Sequence, residues 1–230
     1  DLIRRKGGSY KKCLDSLDIY RRLKVPIVQV ATVVLKKNIK DIPKIITEIF
    51  RRGCNRYRLQ LLIPEGRAKD KEIPLDIVRG ALHIIYKSRR KGIRIFAADN
   101  FGYLGGFGKE VRGSDLFCGC GWWTFTIMEN GDIMGCPAID HLEFNEGNIR
   151  KTDIEKIWWS GFGRFRKTLH RDLPVNCQDC EHVKVCAGGC WVQRINCSRF
   201  CYLDLAEKLN REILLKQRGG RCQKKLLLAH

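Results

Sequence analysis

The sequence predicts an α/β chain that passes, about halfway along, into a small α+β region rich in cysteine. Three observations carry this. Helical and extended apolar patterns alternate through the first hundred residues, as they do in a parallel sheet with crossover helices. Nine of the twelve cysteines crowd between Cys118 and Cys201. Among them, Asn130-Gly131 separates two apolar runs, a strong short-range signal for a hairpin.

The elements follow in order. Leu14, Leu17, Tyr20 and Leu23 make a helical stripe. Residues 25–35 are rich in Val, with Ile and Thr, and are apolar at successive positions, so they predict a parallel strand covered on both faces. Asp41 is placed to cap a helix with Pro43 in its first turn and Gly53 at its end. Residues 56–63 predict the next strand, followed by a turn at Pro64-Glu65-Gly66. Residues 73–90 read as an amphipathic helix, and 93–97 as a third strand. Three parallel strands leave exposed edges and a poorly covered sheet. They are therefore expected to belong to a larger sheet or barrel whose missing strands lie upstream of Asp1, which is itself not a methionine.

Residues 100–113 hold five glycines and no period, and read as a linker or active-site loop. The hairpin predicted at 122–128 and 132–136 follows. Short helices are expected at 153–159 and 162–170, a cysteine-rich loop at 171–201, and a last amphipathic helix at 203–217 with a frayed Lys-rich tail.

Composition narrows the function. Hydrophobic residues make up 44% of the 230, enough for a packed core. The longest uncharged runs are too short to span a bilayer. No secretory or transit segment is visible. The expectation is a cytoplasmic protein with no membrane partner. The net charge is +19, from 44 Lys and Arg against 25 Asp and Glu. The basic residues form scattered short groups, such as Arg89-Arg90-Lys91, without a nucleic-acid-binding motif. A solvated basic surface accounts for them better than a nucleic-acid site.

In a reducing compartment, clustered cysteines bind metal more often than they form disulfides. The spacing here is specific. Twelve residues separate Cys118 from Gly131, and four separate Gly131 from Cys136. Later come Cys177, Cys180, Cys186 and Cys190 at CX2CX5CX3C, then Cys197 and Cys201. A [4Fe–4S] cube takes four thiolates around one centre, and short loops with glycine let the backbone approach it. Gly188 and Gly189 before Cys190 suit that approach. Zinc held by four cysteines is the rival reading.

This pattern, CX12GX4C followed by CX2CX5CX3C and a last Cys, resembles the SPASM domain of radical S-adenosylmethionine enzymes. Cys118-Gly119-Cys120-Gly121 with Gly131-Asp132 and Cys136-Pro137 is similar to the family's first hairpin. Gly147-Asn148-Ile149 with Ile154, Ile157 and Trp158 is similar to its connecting segment, and Cys186-Ala187-Gly188-Gly189-Cys190 to its closing loop. The resemblance covers roughly residues 114–205. Thr32-Val33-Val34-Leu35 with Asn38, and Pro64-Glu65-Gly66-Arg67, resemble later strands and loops of the radical barrel that precedes such a domain.

The resemblance implies the C-terminal part of a partial (β/α)6 TIM-like barrel over 1–105, a SPASM domain over 106–205, and a helix and basic tail over 206–230. It implies two auxiliary [4Fe–4S] clusters. The first would use Cys118, Cys136 and Cys190, with Cys120 as fourth ligand. The second would use Cys177, Cys180, Cys186 and Cys201, with Cys197 as the alternate for Cys201 or Cys120. It implies an oxidoreductase-type maturase that modifies a peptide or protein, with an electron donor such as ferredoxin or flavodoxin.

The family's CX3CX2C, which holds the cluster that cleaves S-adenosylmethionine, is absent. The chain therefore reads as a fragment, a split-gene product or a degenerate copy, inactive alone. S-adenosylmethionine and a third cluster are expected only in the complete enzyme, or with a separate chain that carries the motif. The alternatives are a non-catalytic cluster-carrying subunit that presents peptide, and a zinc-stabilised nucleic-acid binder.

The remaining candidates have plainer readings. Cys13 and Cys54 read as small core residues. His83, His141, His170, His182 and His230 show no paired metal spacing, and only His182 lies within the cysteine loop. Trp122, Trp123, Trp158 and Trp159 read as packing around the hairpin. Asp99, just after a strand, reads as a turn residue, and Gln60 is a candidate for the inner wall of a barrel.

Overall fold

The computed structural model describes residues 5–65, 68, 71–116, 118–139, 141–167 and 173–227, with side chains to residue 217. Gly66, Arg67, His170 and His230, named above, lie outside them. The chain divides into two compact units. One comprises residues 1–115 with 202–230, the other 116–201.

The first unit alternates helix and strand: α1 (Ser9–Arg22), β1 (Gln29–Val34), α2 (Ile42–Arg51), β2 (Arg56–Leu61), α3 (Leu75–Arg90), β3 (Ile95–Ala97) and α4 (Phe107–Arg112), then α10 (Leu203–Leu227) after the second unit. The strands form one parallel sheet in the order β1-β2-β3. Thr32 lies beside Leu59, and Leu59 beside Ala97. One face carries Val34, Tyr57, Leu59, Leu61, Ile95 and Ala97, all buried with Ile46, Ile49, Leu82 and Ile85 of the helices. The other face differs from the sequence expectation. Ala31 is exposed, Val33 is 39% exposed, and Arg58, Gln60 and Phe96 are half-buried. Strand β1 is thus covered on one face only, because the packed helices lie on the Leu59 side.

Local chemistry also departs from expectation at three points. Asp41 precedes α2 but makes no side-chain cap; a 3-10 turn, Ile39–Asp41, leads into the helix. Asn38 does the local bonding instead: its Oδ1 accepts from Leu35 N at 2.8 Å and its Nδ2 donates to Val33 O at 2.9 Å. The glycine-rich stretch 100–113 contains α4, whose Phe107 and Val111 are buried one turn apart. Cys54 is buried as expected, whereas Cys13 is exposed on α1.

The C-terminal helix belongs to the first unit. Tyr202, Ala206, Leu209 and Ile213 recur at helical spacing and join its core. The helix runs on to Leu227, through the segment read as a frayed tail. Among the described residues, no helix is long and apolar enough to cross a membrane.

Just after β3, Asp99 is exposed and begins a 3-10 turn, Asp99–Phe101. Its neighbour Asn100 does more. Buried, it accepts from Leu61 N at 3.1 Å and donates to Leu61 O at 2.7 Å, acting as a one-residue strand partner at the end of β2. Asn100→Ala leaves both backbone groups unpaired, at ~1–3 kcal/mol each. Denaturant unfolding should show a loss of about 2 kcal/mol or more, against about 0.5 kcal/mol or less for Asp99→Ala. Equal effects would refute the pairing.

Candidate metal centre

The second unit is built from short elements: β4 (Thr126–Ile127), β5 (Asp132–Met134), β6 (Asn145–Asn148), α5 (Ile154–Ser160), α6 (Gly163–Lys167), α7 (Val175–Gln178), α8 (Val183–Cys186) and α9 (Trp191–Asn196). Strands β4 and β5 form the expected hairpin, shorter than its apolar runs. Gly131, with φ +90°, turns the chain, and Asn130 Oδ1 accepts from Asp132 N at 3.0 Å. Strand β6 adds a third, antiparallel member that the sequence pattern did not reveal. Its polar run Asn145-Glu146-Gly147-Asn148 lacks alternation. Asn148 instead ties the sheet together through Asp132 Oδ1 at 2.8 Å and Asn130 O at 3.1 Å. These bonds hold the Asp132 carboxyl below its ordinary value.

The segment 171–201, read as a loop, contains three one-turn helices. Each holds or adjoins a cysteine: α7 contains Cys177, α8 ends on Cys186, and Cys190 precedes α9. Among the described residues no cysteine is in a disulfide.

The cysteines fall into two sets. The Cys120 thiol is pushed up first by hydrogen bonds with Cys118 and Cys136, then by burial. Burial pushes Cys190 up to about 12, and Cys118 and Cys136 act on it electrostatically. In the other set, burial and then Cys201, Cys177 and Cys180 push Cys186 up to about 11. Burial, Cys201 and Cys180 also raise Cys177. Cys118 and Cys136 thus act on both Cys120 and Cys190, and Cys180 and Cys201 act on both Cys177 and Cys186. The Cys197 thiol donates to Oε1 of the buried Gln193 at 2.9 Å. His182 lies 3.6 Å from Glu181.

Backbone donors reach the same sulfurs. Gln193 and Val192 N–H groups bond Cys190, and Gly188 N–H bonds Cys186, each favouring the thiolate. Among the described residues, no three His, Cys, Asp or Glu side chains converge as a single metal ion requires. A zinc ion needs four sulfurs each ~2.3 Å from one centre. A cube with iron at separate corners takes its ligands further apart. Soft sulfur donors in fours, backbone N–H groups on sulfur, and glycines on the approach are the surroundings that an iron–sulfur cluster needs. The residues fit that group.

An aromatic cluster backs this region. Phe165 packs on Trp191 with centroids 5.1 Å apart and on Phe144 at 5.8 Å. Arg166 staples the Cys120 turn: its Nε donates to Gly121 O and its Nη1 to Trp158 O, both at 2.6 Å, and its guanidinium lies 4.5 Å over Trp158. The tryptophans divide. Trp158 is half-buried and Trp122 Nε1 donates to Phe165 O at 2.9 Å, whereas Trp123 and Trp159 are exposed.

Residues 118–181 match the SPASM family, an iron–sulfur cluster-binding domain. The resemblance to a SPASM domain is borne out over those residues. It is 26% identical over 221 residues to an AdoMet-dependent heme synthase of Methanosarcina barkeri, covering 82% of this chain and 57% of that relative. It is 32% identical over 85 residues to the PqqA peptide cyclase of Ruegeria pomeroyi, covering 34% of this chain and 22% of the cyclase. The chain thus spans little more than half the length of these relatives, or less. The fold is similar to that of anSMEcpe bound to AdoMet and a Cp18Cys peptide, with a TM-score of 0.62 at 15% identity, covering 91% of this chain and 61% of that one. It is also similar to that of Streptococcus suis SuiB bound to S-adenosylmethionine, with a TM-score of 0.57 at 15% identity, covering 82% and 46%.

Gly135, just before Cys136, allows no side chain: a β-carbon there would collide with the buried ring of Phe165. Gly135→Ala should cost ~1–3 kcal/mol in unfolding of the second unit. Adding Phe165→Leu, which removes the ring edge, should recover part of that loss. Additive losses in the double variant would show that the ring is not what Gly135 accommodates.

Proposed function

We propose that this chain supplies the auxiliary-cluster part of a radical S-adenosylmethionine enzyme that modifies a peptide or protein. The observation that carries this reading is the match of residues 118–181 to an iron–sulfur cluster-binding domain, in the unit that also holds Cys186, Cys190, Cys197 and Cys201. Cys118, Cys120, Cys136 and Cys190 would hold one [4Fe–4S] cluster. Cys177, Cys180, Cys186 and Cys201 would hold the other, with Cys197 as the alternate for Cys120 or Cys201. When bound, such clusters supply one-electron transfer or an open iron for substrate. The chain's own part is to fix the thiolates, screen them from water with the aromatic cluster, and donate backbone N–H bonds to Cys186 and Cys190.

On this reading the first unit is the later part of a (β/α)6 barrel, an assignment supported by the parallel β1-β2-β3 order. The 230 residues hold no CX3CX2C. S-adenosylmethionine and its cluster would then be bound by residues outside this segment, on the same polypeptide or another chain. The +19 charge suits an acidic peptide or an acidic ferredoxin or flavodoxin donor in the cytoplasm. A second reading, in which the substrate is a heme precursor, is favoured by the heme synthase match over 82% of the chain.

Iron, sulfide and zinc content of anaerobically purified protein, with Mössbauer spectra, tests the cluster assignment. About eight irons and eight sulfides per chain are expected, falling to about four of each in Cys186→Ser and in Cys190→Ser. Zinc without sulfide would overturn it. Titration of the iron-loaded protein with acidic peptides and with porphyrins separates the substrate readings. Porphyrin binding without peptide binding would move the assignment to heme chemistry.

A further inference from the structure

Arg194 sits half-buried on α9, between Cys190 of the first set and Cys201 of the second in sequence. Three contacts fix it. Its guanidinium carbon lies 3.8 Å from the ring centre of the buried Trp191, a stacked cation–π contact. Its Nη1 donates to Ala187 O at 3.4 Å, and its backbone N–H donates to Cys190 O at 3.0 Å. The closing loop is shaped around the group. A β-carbon at Gly188 would collide with Nη1, and it would lie 2.7 Å from Leu173 Cδ2. Gly188 also has φ +77°, where a side chain is strained. A long cationic side chain is therefore folded back over residues 187–188, immediately after Cys186.

We propose that Arg194 is a positioning residue that holds a fixed positive charge against the second thiolate set and so raises the reduction potential of the group bound there. This rests on the two-cluster reading given above. The Arg194 Nη1 lies on the carbonyl of Ala187, the residue directly after Cys186 of that set. One-electron reduction by a low-potential reductant adds one negative charge to the bound group. In a partly buried site, a nearby guanidinium stabilises the reduced state more than the oxidised one. A planar, stacked arginine keeps that charge in place with less loss of freedom than a lysine would.

The test uses the full chain, purified anaerobically, as wild type, Arg194→Met and Arg194→Lys. Methionine keeps bulk and stacking on Trp191 but removes the charge. Iron and sulfide are measured first, and the potentials are then read by dithionite titration followed by EPR. All three proteins are expected to hold equal iron. In Arg194→Met, reduction of one cluster should become about tenfold less favourable, ~59 mV lower, with the other unmoved. Arg194→Lys should move it by less than half as far. An unshifted potential at full iron content would overturn the proposal, leaving Arg194 as packing. Loss of half the iron in both variants would also overturn it, by showing a strut for the loop. A wild-type chain without iron or sulfide would overturn the cluster reading itself, and the proposal with it.

Discussion

Crowded, half-buried cysteines resist ionisation, and that resistance is the constraint any group bound in the second unit must overcome. Hydrogen bonds with Cys118 and Cys136 hold the Cys120 thiol above its ordinary value, and burial does the same to Cys186 and Cys190. A fold does not gather such groups for their packing alone. Isolated cysteines make adequate small apolar residues, as Cys54 shows at 3% exposure in the first unit. Gathered in fours, they become favourable only when a cationic centre takes their protons' place, so binding and folding are coupled.

The neighbouring residues follow from that requirement. Sulfurs near a bound group need backbone N–H donors and little water. The turns at Cys186 and Cys190 provide the donors, through Gly188, Val192 and Gln193. Phe144, Phe165 and Trp191 provide apolar bulk. Arg166 and Arg194 then bond carbonyls on the cysteine-bearing turns, at Gly121 and Ala187. These two basic side chains thus serve the turns themselves.

What was legible in the sequence was periodic or local. The parallel βαβαβ order and the Asn130-Gly131 hairpin follow from spacing alone, whereas the assignment of the cysteines to two sets came only with the family resemblance. What was not legible depended on partners distant in sequence. Strand β6 pairs antiparallel with β5, with the Asn148 side chain as an added tie, and shows no apolar alternation. Helix α4 is hidden by glycines and is fixed by what packs on Phe107 and Val111. Asn100 looks like any loop asparagine until β2 ends beside it. The exposed face of β1 could not be foreseen either, since an apolar run says that a strand prefers cover, not that cover is present.

The course of the chain adds a last constraint. It leaves the first unit after α4, builds residues 116–201, and returns with Tyr202 and α10 to finish the first unit's core. The first unit therefore has a continuous apolar core of its own, with Leu59, Leu82 and Ile85 wholly buried. The second has strands of two to four residues and one-turn helices. Such short pieces bury too little apolar surface to hold a fixed shape without a staple. Disulfides are absent among its described residues. On the two-cluster reading, a group held by these thiols would be as much a condition of this unit's fold as of its chemistry. The same cysteines that would carry electrons also decide whether the turns bearing them stay in place.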